Sequence, residues 1–248
     1  MPTHENVRIG GFAIRKTTSV NLASHLLMRR QQGEQVALFF ANTNFIVQCR
    51  DLRVRMAQDG IVIVNDGVGM DIAAHLMQGE RFRENLNGTD FVPFLFRQST
   101  TPLRVFMVGG KPAVLRQAAL YATRQLGQAV VGTCDGYQCI KTKPNLMDTI
   151  NRAQADILLV ALGNPTQEKW ILDHRRHLNV PILAGVGALF DFWAGDKPRA
   201  PILVQKMRME WFFRLCLEPK RLAQRYTVDF AKFLKYCYQY RLDGRRRG

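Results

Sequence analysis

Asp66 is the residue on which the chemistry of this chain turns. It follows the run Ile61-Val62-Ile63-Val64-Asn65 and precedes Gly67-Val68-Gly69. A carboxylate so placed has two uses. It can cap the helix that follows by accepting from an unpaired amide, or it can take a proton from a substrate hydroxyl as a general base. The four β-branched residues predict a central strand buried on both faces, as in a parallel sheet. Asn65-Asp66-Gly67 ends that strand and turns the chain. Residues 71–78 then predict a helix. Open α/β sheets bind ligands at the carboxyl ends of their strands, so either use puts Asp66 at the ligand edge.

Other predicted strands end in the same manner. Asn42 and Asn44 follow a strand at 35–40. Gly109-Gly110 follows one at 103–108, Asp135 and Tyr137 one at 129–133, Gln167 one at 156–162, and Asp191 one at 181–185. Parallel strands would bring all six ends to one edge, around a cleft of nucleotide size. Gly109-Gly110, opening a helix predicted over 112–126, could receive a phosphate on backbone amides; each glycine could equally serve a tight turn. Neither a full G-x-G-x-x-G nor a Walker loop is present, which counts against hydride and phosphoryl transfer. No G-x-S-x-G elbow is present. His174 and His177 have a spacing that permits metal ligation, but Arg175 and Arg176 between them favour a solvated basic face.

Strands and helices alternate through most of the chain. The predicted fold class is α/β: a Rossmann-like, mainly parallel sheet with helices on both faces, plus a basic helical C-terminal appendage. Residues 5–16 predict a hairpin or edge strand, and residues 45–58 one helix. The segment 79–90 reads as a polar surface or substrate-facing loop. The 248 residues, 47% hydrophobic, suit a core over 1–195 with an appendage over 196–248. No apolar run is long enough to cross a bilayer, and the N-terminus lacks a secretory layout, so the expected location is cytoplasmic. The five cysteines form no C-x-x-C pair, which supports neither a zinc site nor a disulfide framework.

The net charge is +15, and residues 197–248 hold 14 Lys and Arg against 4 Asp and Glu, or +10 of it. A basic segment on a near-neutral body points to a polyanion: nucleic acid, acidic lipid or a phosphorylated substrate. Arg214, Arg221 and Arg225 are spaced by seven and four, and would share one helical face if Pro219 only kinks the helix. Three guanidiniums on one face suit a diphosphate. Met209, Trp211, Phe212 and Phe213 beside them suit an anionic membrane surface. The plain alternative is a helix packed on the body with its charges in water.

The pattern resembles the WecG/TagA/CpsF glycosyltransferases of bacterial surface-polysaccharide synthesis over nearly the whole chain. The resemblance rests on Asn42-x-Asn44, Asn65-Asp66-Gly67-x-Gly69, Asn87-Gly88-Thr89-Asp90, Gly163-x-Pro165-x-Gln167-Glu168, Gly185-Val186-Gly187-x-x-Phe190-Asp191, Arg199-Ala200-Pro201, Glu210-Trp211-x-x-Arg214 and Glu218-Pro219-x-Arg221. Asn42-Thr43-Asn44-Phe45 and the 83–88 loop look closest to the branch that makes xanthan-like and acetan-like exopolysaccharides. In that branch a glucose is added to glucosyl-diphospho-undecaprenol. The resemblance implies a UDP-sugar donor, an undecaprenyl-diphosphate-linked sugar acceptor and inversion at the anomeric carbon, with no cofactor and no essential metal. It implies Asp66 as base, Asn44 and Gln167 near the sugar and phosphates, Tyr137 and Asp191 near the nucleoside, and Arg214, Arg221 and Arg225 on the acceptor diphosphate. Asn42 stands where teichoic-acid members have Thr, and Asn85 where they have Arg. Both would lie near the transferred sugar, so N-acetylmannosamine specificity does not carry over. With Gly109, these residues make up the expected site.

The expected protein is thus an inverting hexosyltransferase, peripheral at the inner face of the plasma membrane and bound to its anionic surface, with no nucleic-acid partner; self-association is left open. The alternatives are an N-acetylmannosaminyl- or N-acetylmannosaminuronosyltransferase of the same family, a catalytically silent UDP-sugar sensor, and a nucleic-acid-binding module.

Overall fold

The computed structural model describes residues 5–137, 140, 145–197, 204, 213, 215 and 225–246, without the side chains of 225, 226 and 241–246. An antiparallel hairpin comes first, β1 (Asn6–Ile9) and β2 (Phe12–Arg15). Then follow α1 (Ser19–Gln31), β3 (Val36–Ala41), α2 (Thr43–Gln48), α3 (Arg53–Met56), β4 (Ile61–Asn65), α4 (Val68–Gln78) and α5 (Gly88–Gln98). The second half brings β5 (Arg104–Gly109), α6 (Pro112–Arg124), β6 (Ala129–Cys134), α7 (Leu146–Arg152), β7 (Ile157–Ala161), α8 (Thr166–His174), β8 (Ile182–Gly185) and α9 (Leu189–Trp193). A helical segment near the C-terminus, α10, covers Phe230–Arg246.

Six strands form one sheet in the order β4-β3-β8-β7-β5-β6, and every pairing is parallel. Side chains alternate across the pleat. Along β3, Ala37, Phe39 and Ala41 enter one core, with Ile63, Val108, Val160 and Leu183. Val36, Leu38 and Phe40 enter the other, with Val64, Met107, Leu159 and Ala184. Helices cover both faces, so the fold is an α/β, Rossmann-like parallel sheet with a helical C-terminal piece.

Three local expectations need correction. β4 is not central: it closes the hydrogen-bonded order at one end. Its side chains are nonetheless mostly buried, because β2 packs beside it and Phe12 and Ile14 join Ile63 in one core. The helix expected over 45–58 is broken. α2 ends at Cys49, which is fully buried, and a 3-10 turn at Arg50–Leu52 re-aims the chain into α3. α5 starts inside the expected loop, because Asn87 caps it by accepting from the Asp90 amide at 2.9 Å.

The cysteines also depart from expectation in one respect: Cys134 is disulfide-bonded, while Cys49 and Cys237 are free and buried.

α10 is anchored to the body. Phe233 is fully buried, and Cys237 lies in the same core. Tyr236 donates to the Gly10 carbonyl at 3.2 Å and accepts from Arg53 at 3.3 Å. The Arg53 guanidinium sits 4.8 Å from the centre of the Tyr240 ring. Among the described residues no helix is long and apolar enough to cross a membrane.

Candidate active site

A cleft of about 1270 Å³ lies along the carboxyl ends of the six parallel strands. Every strand contributes: Asn42 and Asn44 after β3, Asp66 after β4, Gly110 and Lys111 after β5, Tyr137 after β6, Gln167 beyond β7, and Asp191 beyond β8. Asn85 and Phe230 complete one wall.

Asp66 is half-buried. Its amide donates to the Ala41 carbonyl at 2.8 Å, which prolongs the β3–β4 ladder by one step. The N-cap of α4 is Gly67, at φ +90°, so Asp66 is not the capping residue. That glycine conformation, poorly open to other residues, turns the chain while the Asp66 side chain stays at the cleft. Two asparagines flank the turn. Asn42 caps α2 by accepting from the Phe45 amide at 3.0 Å, and its amide group stands 3.5 Å from Asp66 Oδ2. Asn85 accepts the Gly67 N–H.

Asn85 is held because its loop is held. The buried Asn65 donates to the Glu84 carbonyl at 2.8 Å and accepts from the Leu86 amide at 3.0 Å. The Glu84 carboxylate accepts from Ser19 N and Oγ, at the start of α1. Phe82 and Leu86 are buried. The segment read as a polar surface or substrate-facing loop carries exposed Arg81 and Arg83 beside these two side chains, and its Asn85, Asn87 and Asp90 line the cleft.

The expected residues fall into three groups. Asn42, Asn44, Asp66, Asn85, Tyr137, Gln167 and Asp191 all line the cleft. Gly109 does not: a Cβ there would lie 2.2 Å from the Ala161 carbonyl oxygen, so this glycine makes room for the neighbouring strand end. Gly110 is the residue that faces the cleft, and its amide is engaged by that same carbonyl at 3.1 Å. Arg214 and Arg221 lie outside the described residues. Arg225 opens a π-helical turn, Arg225–Asp229, that leads into α10; its side chain is outside them too.

Tyr137 is exposed, over a turn in which Asp135 accepts the Tyr137 amide at 2.9 Å. Asp191 pairs with Lys197 at 3.0 Å. Gln167 is buried and fixed at both ends. It accepts from the Gly187 amide at 3.0 Å and donates to Glu168 Oε1 at 2.8 Å. His174 stacks on Trp170 at 4.7 Å and contacts its carbonyl, while His177 lies in the 3-10 turn that follows.

Sequence reasoning passed over Lys111, Asn164 and Lys197, which line the cleft, and treated Glu168 only as part of a motif. Lys111 could have been found as the first cation after the paired glycines. Among the described lining residues Asp66, Asp71, Asp90, Asp191 and Asp196 face only Lys111 and Lys197 as fixed cations. A half-buried carboxylate lining this cleft, flanked by carboxamides and glycine turns, is suited to taking a proton from a hydroxyl. The model of the glycosyl transferase WecG/TagA/CpsF family matches residues 7–247, and the chain belongs to that family of glycosyltransferases.

Proposed function

We propose that the protein is an inverting hexosyltransferase that moves glucose from a UDP-sugar to a sugar carried on undecaprenyl diphosphate, in bacterial exopolysaccharide assembly. Family membership implies a nucleotide-sugar donor and a sugar acceptor; the identity of each is our reading. The observation that carries it is Asp66, presented to the cleft between Asn42 and Asn85.

In this reading the acceptor hydroxyl lies against Asp66. Asp66 takes its proton as the oxygen attacks the donor C1 from the face opposite UDP. The C1–O bond to UDP breaks, its electron pair leaves with the diphosphate, and an α-linked donor gives a β-glycoside. Asn44, Gln167 and Asn85 orient the sugar and phosphates. Tyr137 and the Asp191 region receive the nucleoside.

The leaving diphosphate needs positive charge. The described cleft wall is richer in carboxylates than in lysines, which favours a role for the basic segment 196–248. Arg214, Arg221 and Arg225 would hold the acceptor diphosphate close to an anionic membrane surface, and arginine donors with backbone amides would take the place of a metal ion at the leaving UDP. Attachment of α10 to the elements beside Asn44 and Asp66 supports that reading. The test is a panel of UDP-sugars offered with glucosyl-diphospho-polyprenol, the product linkage read by NMR. A β-linked disaccharide from one UDP-hexose is expected. Transfer of N-acetylmannosamine instead would move the protein to the other branch, and no transfer from any UDP-sugar would overturn the reading.

A further inference from the structure

We propose that Glu168 is a positioning residue of the transfer site, its ionised carboxylate locking the Asn164 and Gln167 carboxamides in the orientation that shapes the cleft. The inference deepens the UDP-sugar reading and rests on it.

Glu168 is the third residue of α8 and is almost fully buried behind the cleft wall. Its Oε1 accepts from both carboxamides: Gln167 Nε2 at 2.8 Å and Asn164 Nδ2 at shorter range. Both donors belong to residues that line the cleft. The link continues, because Gln167 Oε1 receives the amide of Gly187, another lining residue, at 3.0 Å. One carboxylate therefore ties the end of β7 to the end of β8. A flipped Gln167 would set its NH₂ against the Gly187 N–H and its oxygen against the carboxylate, two repulsive contacts.

Charge matters to this lock. Hydrogen bonds to an ionised acceptor are about twice as strong as neutral ones. Burial pushes the Glu168 carboxyl up to about 7, against the opposing pull of the Gln167 side chain, its own backbone amide, the Asn164 side chain and the Cys49 thiol. Oε2 is buried without a hydrogen bond of ordinary geometry. The titratable neighbour is Cys49 at the end of α2, whose thiol burial and the nearby carboxyl push upward, so it stays protonated. The strands β7 and β8 packed under α8 supply apolar residues and glycine. On α8 itself Lys169 pairs with Asp173 at 2.6 Å on the exposed side, and Arg175, Arg176 and His177 lie beyond its far end. On α3, Arg55 pairs with the same Asp173 at 2.8 Å, so among the described residues the charged side chains of these elements are paired with one another or lie beyond the helix end, and the Glu168 charge is the one the lock depends on.

The experiment compares full-length wild type with Glu168→Gln. The kcat, the KM for the UDP-sugar and the Kd for UDP are followed from pH 5.5 to pH 8.5. The variant keeps one acceptor oxygen but not the charge. It should behave at every pH as wild type does in acid, so the two proteins coincide below about pH 6 and separate by roughly tenfold in kcat/KM above about pH 8. Titration of UDP itself is common to both and cancels. A gap that stays constant with pH, or no gap, overturns the proposal. A ¹³C titration of the Glu168 carboxyl and the Gln167 side-chain NH₂ in wild type decides the matter if the variant does not fold. Shared midpoints near 7 support the lock, and a Gln167 signal indifferent to pH overturns it. Because the NMR arm needs no substrate, failure of the lock remains distinct from failure of the UDP-sugar reading.

Discussion

Gly109→Ala separates two reasons for a glycine at the end of β5. A glycine kept only for the approach of a phosphate would cost UDP affinity when replaced, but not stability. The geometry here assigns the reason to the protein. Gly109 has φ +115°, and an added Cβ would come within 2.2 Å of the Ala161 oxygen and 2.6 Å of its carbonyl carbon. Both atoms are backbone in the adjoining strand, so neither can swing aside. Overpacking a tight site costs about 1–3 kcal/mol, and an L-residue at positive φ adds about 1–2 kcal/mol. The expected destabilisation is therefore about 2–5 kcal/mol. For a chain of this size each kcal/mol is worth about 2–4 °C in Tm, so the melting point should fall by roughly 4–20 °C. Thermal unfolding followed by circular dichroism, with and without UDP, measures both quantities. UDP affinity should fall too, since Gly110, Ala161 and Leu162 line the cleft beside the displaced strand end. An unchanged melting point with weakened UDP binding would refute this reasoning and restore Gly109 as a ligand contact.

Glu168 should also leave a mark on stability. Its carboxyl ionises at about 7 in the folded protein against an ordinary value of 4.5, so the folded state holds an extra proton between those values. Stability should then fall as pH rises through that window, by about 3 kcal/mol at about 1.4 kcal/mol per pH unit. Urea unfolding at pH 5 and pH 8 should show the fall in wild type and a flatter profile in Glu168→Gln. Phe233→Ala empties a fully buried site and should cost about 3–5 kcal/mol, with protease cleavage moving into α10 before the body unfolds. Transfer should survive EDTA; loss restored by Mg²⁺ or Mn²⁺ would contradict the arginine account of leaving-group stabilisation.

The site was legible where a local rule sufficed. Each apolar run ends in a polar or glycine residue, and parallel pairing alone then gathers Asn42, Asp66, Tyr137, Gln167 and Asp191 at one edge. Strand order was not legible. Ile61–Val64 looks central because β2 covers an end strand that the hydrophobic pattern cannot distinguish from an inner one. Gly109 and Gly110 differ by one residue in sequence, and only the position of Ala161 shows which of them faces the cleft. The break after α2 depends on burying Cys49, a tertiary requirement. Gln167 was expected at the ligand edge and Glu168 only as part of a motif; the burial of both was not legible, because it depends on Gly187, brought in from beyond β8, and on the Asn164 carboxamide folding back onto Glu168. Arg214 and Arg221 were expected at the diphosphate and lie outside the described residues.

The most direct trial of the account is the turnover of Asp66→Asn in full-length protein, with UDP affinity measured by calorimetry on the same preparation. Asparagine keeps the shape and most of the contacts but cannot take the proton. Turnover should fall by about 10² to 10⁴, with UDP affinity within about threefold of wild type. Turnover close to wild type would contradict the assignment of Asp66 as the base.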